Sequence, residues 1–209
     1  MINKSPIVGL YAIADTQYLD DARLLSAVGE AIAGGARVIQ YRDKSHDLPA
    51  RLAQAKKIAA LCRQNGALFI VNDNVELAKQ AAADGVHLGR EDASLAQARA
   101  QLGPEAIIGV SCYNELARAV KAQAEGADYV AFGSFFPSRT KPQAVRAGLE
   151  LLCEAKQKLH IPVVAIGGIT HENGAHLLAA GADALAVIEG VFGQVNVREA
   201  AERYARLFK

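Results

Sequence analysis

The sequence predicts an α/β fold, a single-domain (β/α)8 TIM barrel, and three observations carry that prediction. Short β-rich runs recur along the whole chain. Ala-, Leu-, Lys- and Glu-rich stretches with helical spacing of apolar residues separate them, and Gly-Ala pairs punctuate the joins.

The β-rich runs fall at 7–14, 37–41, 68–71, 85–88, 107–110, 129–132, 162–166 and 184–188. Between them, sets such as Leu24, Leu25, Val28 and Ile32, or Leu116, Ala117, Val120 and Ala124, give each helix one apolar face. Gly35-Ala36, Gly66-Ala67, Gly126-Ala127 and Gly181-Ala182 each stand between a helix and the next strand, where glycine suits the left-handed position past a helix C-terminus. Ser94, Asn114 and Asn196 are the expected N-caps of the helices that follow them. Strands apolar on both faces and separated by helices require a parallel sheet covered by helices. Eight such units in 209 residues match a compact barrel. An open doubly wound sheet is the alternative.

Composition narrows the function. A chain that is 51% hydrophobic can bury one sizeable core. Lys+Arg 23 against Asp+Glu 22, 6% aromatics and no Trp leave no basic, aromatic-interleaved surface for nucleic acid, so any anionic partner should be small. Cys62, Cys112 and Cys153 are odd in number and widely spaced, which fits reduced thiols and a cytoplasmic protein. No signal-type segment opens the sequence and no apolar run approaches a membrane span. A homo-oligomer is compatible with the sequence.

In a barrel of this class the active site lies at the C-terminal strand ends. Along that rim fall Asp15, then Gln40 to Lys44, Asn72-Asp73, Gly89 to Asp92 and Ser111. The 133–141 loop, Gly167-Gly168 and Glu189-Gly190 complete it. Alternation puts Gln40, Arg42 and Lys44 on one side of an extended segment, with Tyr41 and Asp43 facing away. Arg and Lys together suit a diphosphate; an internal ion pair of Arg42 with Asp73 or Asp92 is the competing role. Asp73 and Asp92 either cap the helices after their strands or supply two hard oxygen ligands to magnesium. His87 is expected to pack or hydrogen-bond in the barrel wall. The loop carrying Ser138, Arg139, Thr140 and Lys141 is either a lid over an anionic substrate or a solvated connector. Gly167-Gly168 and Glu189-Gly190 place backbone N–H groups where many barrels hold a phosphate, although a double glycine also makes a tight turn.

Taken in order, these motifs closely resemble the thiamine phosphate synthase family nearly end to end. They are Gln40-x-Arg42-x-Lys44, Val71-Asn72-Asp73, Gly85-Val86-His87-Leu88-Gly89-x-x-Asp92, Gly109-Val110-Ser111, Phe132-Gly133-x-Phe135-Phe136-Pro137-x-x-Thr140-Lys141 and Ala165-Ile166-Gly167-Gly168-Ile169. The resemblance implies a (β/α)8 barrel that joins a hydroxymethylpyrimidine diphosphate to a thiazole phosphate, releasing diphosphate. It implies that Gln40, Tyr41, Arg42, Asp43, Lys44, Asn72, Ser111 and Lys141 contact the pyrimidine diphosphate. Asp73 and Asp92 would hold one Mg2+. Ser138, Arg139 and Thr140, with backbone at Gly168, Ile188 and Glu189, would contact the thiazole phosphate. Arg42, Lys44 and Lys141 would stabilise the departing diphosphate in a dissociative reaction, and no Ser-His-Asp or Cys-His arrangement is expected. Two positions depart from the family: Tyr113 stands where members often have His, and Glu189 replaces the commoner Ser. A thiazole tautomerase-like isomerase of the same barrel family and a non-catalytic phosphate-binding sensor are the alternatives.

Overall fold

A computed structural model describes residues 7–45, 47–137, 143 and 145–209. Eight parallel strands close into a barrel in chain order. They are β1 (Gly9–Asp15), β2 (Ala36–Arg42), β3 (Leu68–Asn72), β4 (Gly85–Leu88), β5 (Ile107–Tyr113), β6 (Tyr129–Phe132), β7 (Val163–Ile166) and β8 (Ala184–Val187). The helices that cover them are α1 (Asp21–Ala33), α2 (Leu48–Asn65), α3 (Val75–Gln80), α4 (Leu95–Leu102), α5 (Leu116–Ala124), α6 (Leu149–Lys158) and α7 (Gly174–Ala179). The short α8 (Glu189–Phe192) and α9 (Val197–Ala205) follow β8. The closed ring replaces the open-sheet alternative. Among the described residues no helix is long and apolar enough to cross a membrane.

Local chemistry explains the boundaries. Gly35, Gly66, Gly126 and Gly181 all have φ between 69° and 113°, the left-handed turn that a Cβ would oppose. Ser94 caps α4 in a reciprocal box with Gln97, and Asn196 caps α9 through the Glu199 N–H. Asn114 differs from expectation, because α5 begins one residue later with Glu115 at the cap position. β5 runs on to Tyr113, the Glu115 N–H turns back to the Cys112 carbonyl, and the Asn114 amide donates to Arg146 O at 3.4 Å instead.

The strand pleat sorts the core into two shells. Leu10, Ile39, Phe69, Val86, Ile108, Phe132 and Leu185 point outward into the layer shared with the helices. Tyr11, Ile13, Val38, Ile70, Tyr129 and Val164 point inward and fill the barrel. Tyr129 fits because Gly109 faces it: a Cβ there would lie 2.0 Å from Tyr129 Cζ.

At the N-terminal strand ends one device recurs three times. Asp84, Asp128 and Asp183 immediately precede β4, β6 and β8, and each reaches back to the preceding strand's first residues. Each Oδ2 accepts from the backbone N–H of Phe69, Ile108 or Val163, at 2.7 to 2.9 Å. The same residue's carbonyl accepts the aspartate's own N–H, which locks the register between the paired strands. Arg99 and Lys156 neutralise Asp128 and Asp183 at 2.6 and 2.7 Å. Asp128→Ala removes a charged acceptor from a half-buried N–H and from Arg99. It should cost about 2–3 kcal/mol of stability by urea unfolding, whereas a loss within the error of the titration would refute the brace.

Candidate active site at the C-terminal strand ends

The inward pleat continues past the core to the C-terminal rim, so Gln40, Arg42, Asn72 and Ser111 line one cavity of about 700 Å³. Arg42 is held by Asp15, the last residue of β1, which is completely buried. The other Asp15 oxygen accepts from Gln17 N at 3.0 Å. The competing role for Arg42, an internal ion pair, is met with Asp15 in place of Asp73 or Asp92, because β1 pairs with β2 so that Asp15 lies directly opposite Arg42. A charge-assisted contact to a buried carboxylate fixes the guanidinium at the cavity wall.

Asp73 and Asp92 do not cap helices. Asn74 caps α3 through Leu77 N at 2.8 Å, and Ser94 caps α4. The two carboxylates instead stand close together beside a second cavity of about 460 Å³, which Lys44 and Asn72 also line. Lys44 contacts Asp73, and Asp92 accepts from Gly89 N at 2.6 Å. Asp73 has φ 64°, a left-handed conformation that Asp tolerates better than most residues. Its N–H donates to His87 O at 2.8 Å, which holds that turn against β4.

The electrostatics of the pair are unequal. Burial opposes ionisation of Asp73, but the Lys44 ammonium and the hydrogen bond with Asp92 outweigh it and hold Asp73 below the usual carboxylate range. Asp92 goes the other way: burial, and then the Asp73 carboxylate beside it, push it up despite the Gly89 N–H. Two carboxylates in contact with one nearby ammonium form a donor set suited to a divalent cation. Among the described residues no group of three or more His, Cys, Asp or Glu is placed to hold a metal. A cation here would therefore take two protein carboxylates and draw its other oxygens from water or a ligand, which is the habit of magnesium.

Below the rim, a polar chain crosses the barrel interior. Gln40 Nε2 meets Tyr11 Oη at 2.8 Å, and Tyr11 Oη meets Tyr129 Oη at 2.8 Å. His87 Nδ1 meets Tyr129 Oη at 2.9 Å, while its Nε2 meets Ser111 Oγ at 2.8 Å. His87 thus hydrogen-bonds in the wall as expected, and its second ring nitrogen meets Ser111, a pairing that sequence reasoning did not foresee. The partner of Nδ1 is a tyrosine, not the carboxylate of a hydrolytic triad.

Tyr41 and Asp43 face the other way, as alternation requires. Tyr41 is buried in the layer between sheet and helices, and its hydroxyl contacts Gln54 Oε1 at 2.5 Å and Asp43 Oδ2 at 3.0 Å. Of the strand 2 set, Tyr41 lines neither cavity, whereas Asp43 borders the smaller one. Across the larger cavity stand Gly167, Gly168, Ile188 and Glu189. Gly168 has φ 62°, and a Cβ on it would lie 2.3 Å from Pro137 O, so glycine is required there. Ser134 N donates to Val145 O at 2.9 Å and Ala147 N to Ser134 O at 3.0 Å, which pins the two stems of the β6 loop together at the cavity edge. Ser138, Arg139, Thr140 and Lys141 lie outside the described residues.

Sequence reasoning missed two parts of this site. Asp15 stands out in the sequence only as a rim residue, and Tyr11 and Tyr129 are not singled out by any motif. The period-2 alternation that placed Gln40 inside also places Tyr11, Tyr129 and His87 inside, and was the available signal.

Comparison with known proteins supplies the family. A family model described as thiamine monophosphate synthase matches residues 10–191. The thiamine-phosphate synthase of Nitrosococcus oceani is 52% identical over 204 residues, covering 98% of this chain and 94% of that protein. That of Thiobacillus denitrificans is 54% identical over 200 residues, covering 96% and 94%. Among solved structures, thiamine phosphate pyrophosphorylase from Pyrococcus furiosus aligns with a TM-score of 0.87 at 38% identity, over 96% of this chain and 95% of that one. The chain belongs to the thiamine monophosphate synthase family.

Proposed function

We propose that this chain joins hydroxymethylpyrimidine diphosphate to thiazole phosphate, forming thiamine phosphate and releasing diphosphate, with one Mg2+ held by Asp73 and Asp92. The observation that carries this is the Asp73–Asp92 carboxylate pair, with Lys44 against it and Arg42 on the wall of the adjoining cavity. The relatives named above carry that activity in their names, and the intact carboxylate pair favours synthesis over a metal-free isomerase or a sensor.

The reaction is dissociative. The bond from the pyrimidine methylene carbon to the diphosphate oxygen breaks first, its electron pair leaves with the diphosphate, and the thiazole nitrogen then bonds to the methylene carbon. Arg42, fixed by Asp15, and Lys44 present positive charge to the departing oxygens before the bond breaks, so no reorganisation is needed as charge develops. A magnesium ion held by Asp73 and Asp92 would supply further neutralisation of the charge that develops on the departing diphosphate. Asn72 and Gln40 orient the pyrimidine diphosphate, and the apolar wall of Ile13, Val164 and Ile166 excludes water from the cationic carbon. On sequence grounds, Lys141 adds a cation to the diphosphate, and Ser138, Arg139 and Thr140 join backbone at Gly168, Ile188 and Glu189 around the thiazole phosphate. The unpaired Cys62, Cys112 and Cys153 fit a cytoplasmic setting.

Mixing the two substrates with magnesium and measuring thiamine phosphate tests the proposal. Product should accumulate only when all three are present; no product despite binding of both substrates would sink it. Asp73→Asn and Asp92→Asn should each reduce turnover at limiting magnesium by on the order of 100-fold. Wild-type rates in both variants would remove the metal assignment. Glu189 borders the cavity as a carboxylate where the proposal puts a phosphate. Glu189→Ser should therefore lower the thiazole phosphate KM or barely change it, and a large loss of activity would show that the carboxylate has a direct role.

A further inference from the structure

Tyr11, Tyr129 and His87, the middle of the polar chain beneath the cavity, have no part in the mechanism above, and hydrogen counting from Gln40 gives the chain a single direction. Gln40 Nε2 can only donate, so Tyr11 Oη accepts at 2.8 Å. The Tyr11 hydroxyl hydrogen then goes to Tyr129 Oη, 2.8 Å away. Tyr129 in turn donates to His87 Nδ1 at 2.9 Å, which makes Nδ1 an acceptor. The ring proton is left on Nε2, which donates to Ser111 Oγ at 2.8 Å. With the Gln40 amide turned as it is, running the chain backwards, or placing protons on both ring nitrogens, would strand the Tyr11 hydroxyl hydrogen in a barrel where Tyr11 is 1% exposed. Burial holds the Tyr129 phenol well above its ordinary range, with Tyr11 adding to the effect, so the hydroxyl keeps its proton.

We propose that Tyr11, Tyr129 and His87 are positioning residues for the synthase reaction: their relay fixes His87 as the Nε2–H tautomer and turns the Ser111 hydroxyl hydrogen into the cavity, as a donor to an anionic oxygen of the pyrimidine diphosphate. Because His87 already donates to Ser111 Oγ, the serine's own hydrogen is free for the ligand, and Ser111 lines the cavity where that ligand would sit. A hydroxyl that accepts from a chain of donors is polarised into a better donor itself. The same direction excludes the rival use of the pair, since His87 presents no lone pair to Ser111 and cannot activate it as a nucleophile. Two packing features keep the relay aligned. The His87 and Tyr129 rings stack with centroids 5.5 Å apart, and Gly109 leaves the space that Tyr129 occupies.

The proposal rests on the synthase function, so its test has one arm that needs turnover and one that does not. In a double-mutant cycle, Tyr129→Phe should lower kcat about tenfold with the thiazole phosphate KM changed less than about twofold. In a Ser111→Ala background the same change should lower kcat by less than about twofold. Equal losses in both backgrounds would mean that Tyr129 acts independently of Ser111, and would overturn the relay. The second arm is 15N NMR of the histidine rings in the unliganded protein near neutral pH, with His87→Gln identifying the signal. A neutral Nε2–H ring is expected; an Nδ1–H tautomer or a doubly protonated ring overturns the relay whatever the activity. A wild-type protein that makes no thiamine phosphate refutes the synthase function, and the NMR result then decides the relay by itself.

Discussion

Closing eight parallel strands into a ring creates an interior that only side chains can fill, and this constraint shapes everything above it. Here the middle of the barrel is occupied by Tyr11 and Tyr129, whose hydroxyls meet at 2.8 Å between opposite walls. Large rings supply the volume, but each brings a polar atom into the buried interior. The interior is stable because Gln40, His87 and Ser111 complete the hydrogen bonding on either side. The floor of the cavity is thus set by a packing problem with a polar solution.

The same pleat carries outward to charge. Two inward positions above Tyr11 on β1, past Ile13, stands Asp15, which pairs with Arg42 at the adjacent strand end. Beyond the strand ends Asp73 and Asp92 stand side by side, and among the described residues Lys44 is paired with Asp73. Asp92 responds by holding its proton more tightly than an ordinary carboxylate. A cation that displaced that proton would relieve the repulsion and leave Arg42 and Lys44 facing the anion it brings. Fold, interior packing and rim charge are successive layers of one alternation.

That alternation is why much of the molecule was legible in the sequence. The barrel followed from β-rich runs separated by amphipathic helices, and the inward face of Gln40 and Arg42 followed from counting by two. The cap role of Asp73 and Asp92 stayed open because Asn74 and Ser94 compete for it within two residues, and only geometry shows which side chain reaches the helix N–H groups. The Asp15–Arg42 pair needed the β1–β2 register, which no local pattern encodes. His87, Ser111, Tyr11 and Tyr129 form one chain across residues as far as 118 apart, so their hydrogen bonding was invisible even where their burial was not. Asn114 misled because a good capping residue lost its place to a strand that ran longer than its apolar core.

The central claim is that the rim joins a metal to a diphosphate, and calorimetric titration of the unliganded protein with inorganic diphosphate tests it most directly. The account predicts binding that strengthens markedly when magnesium is present and is lost in an Asp73→Asn, Asp92→Asn double variant. Binding of equal strength with and without magnesium, unaffected by removing both carboxylates, would contradict it.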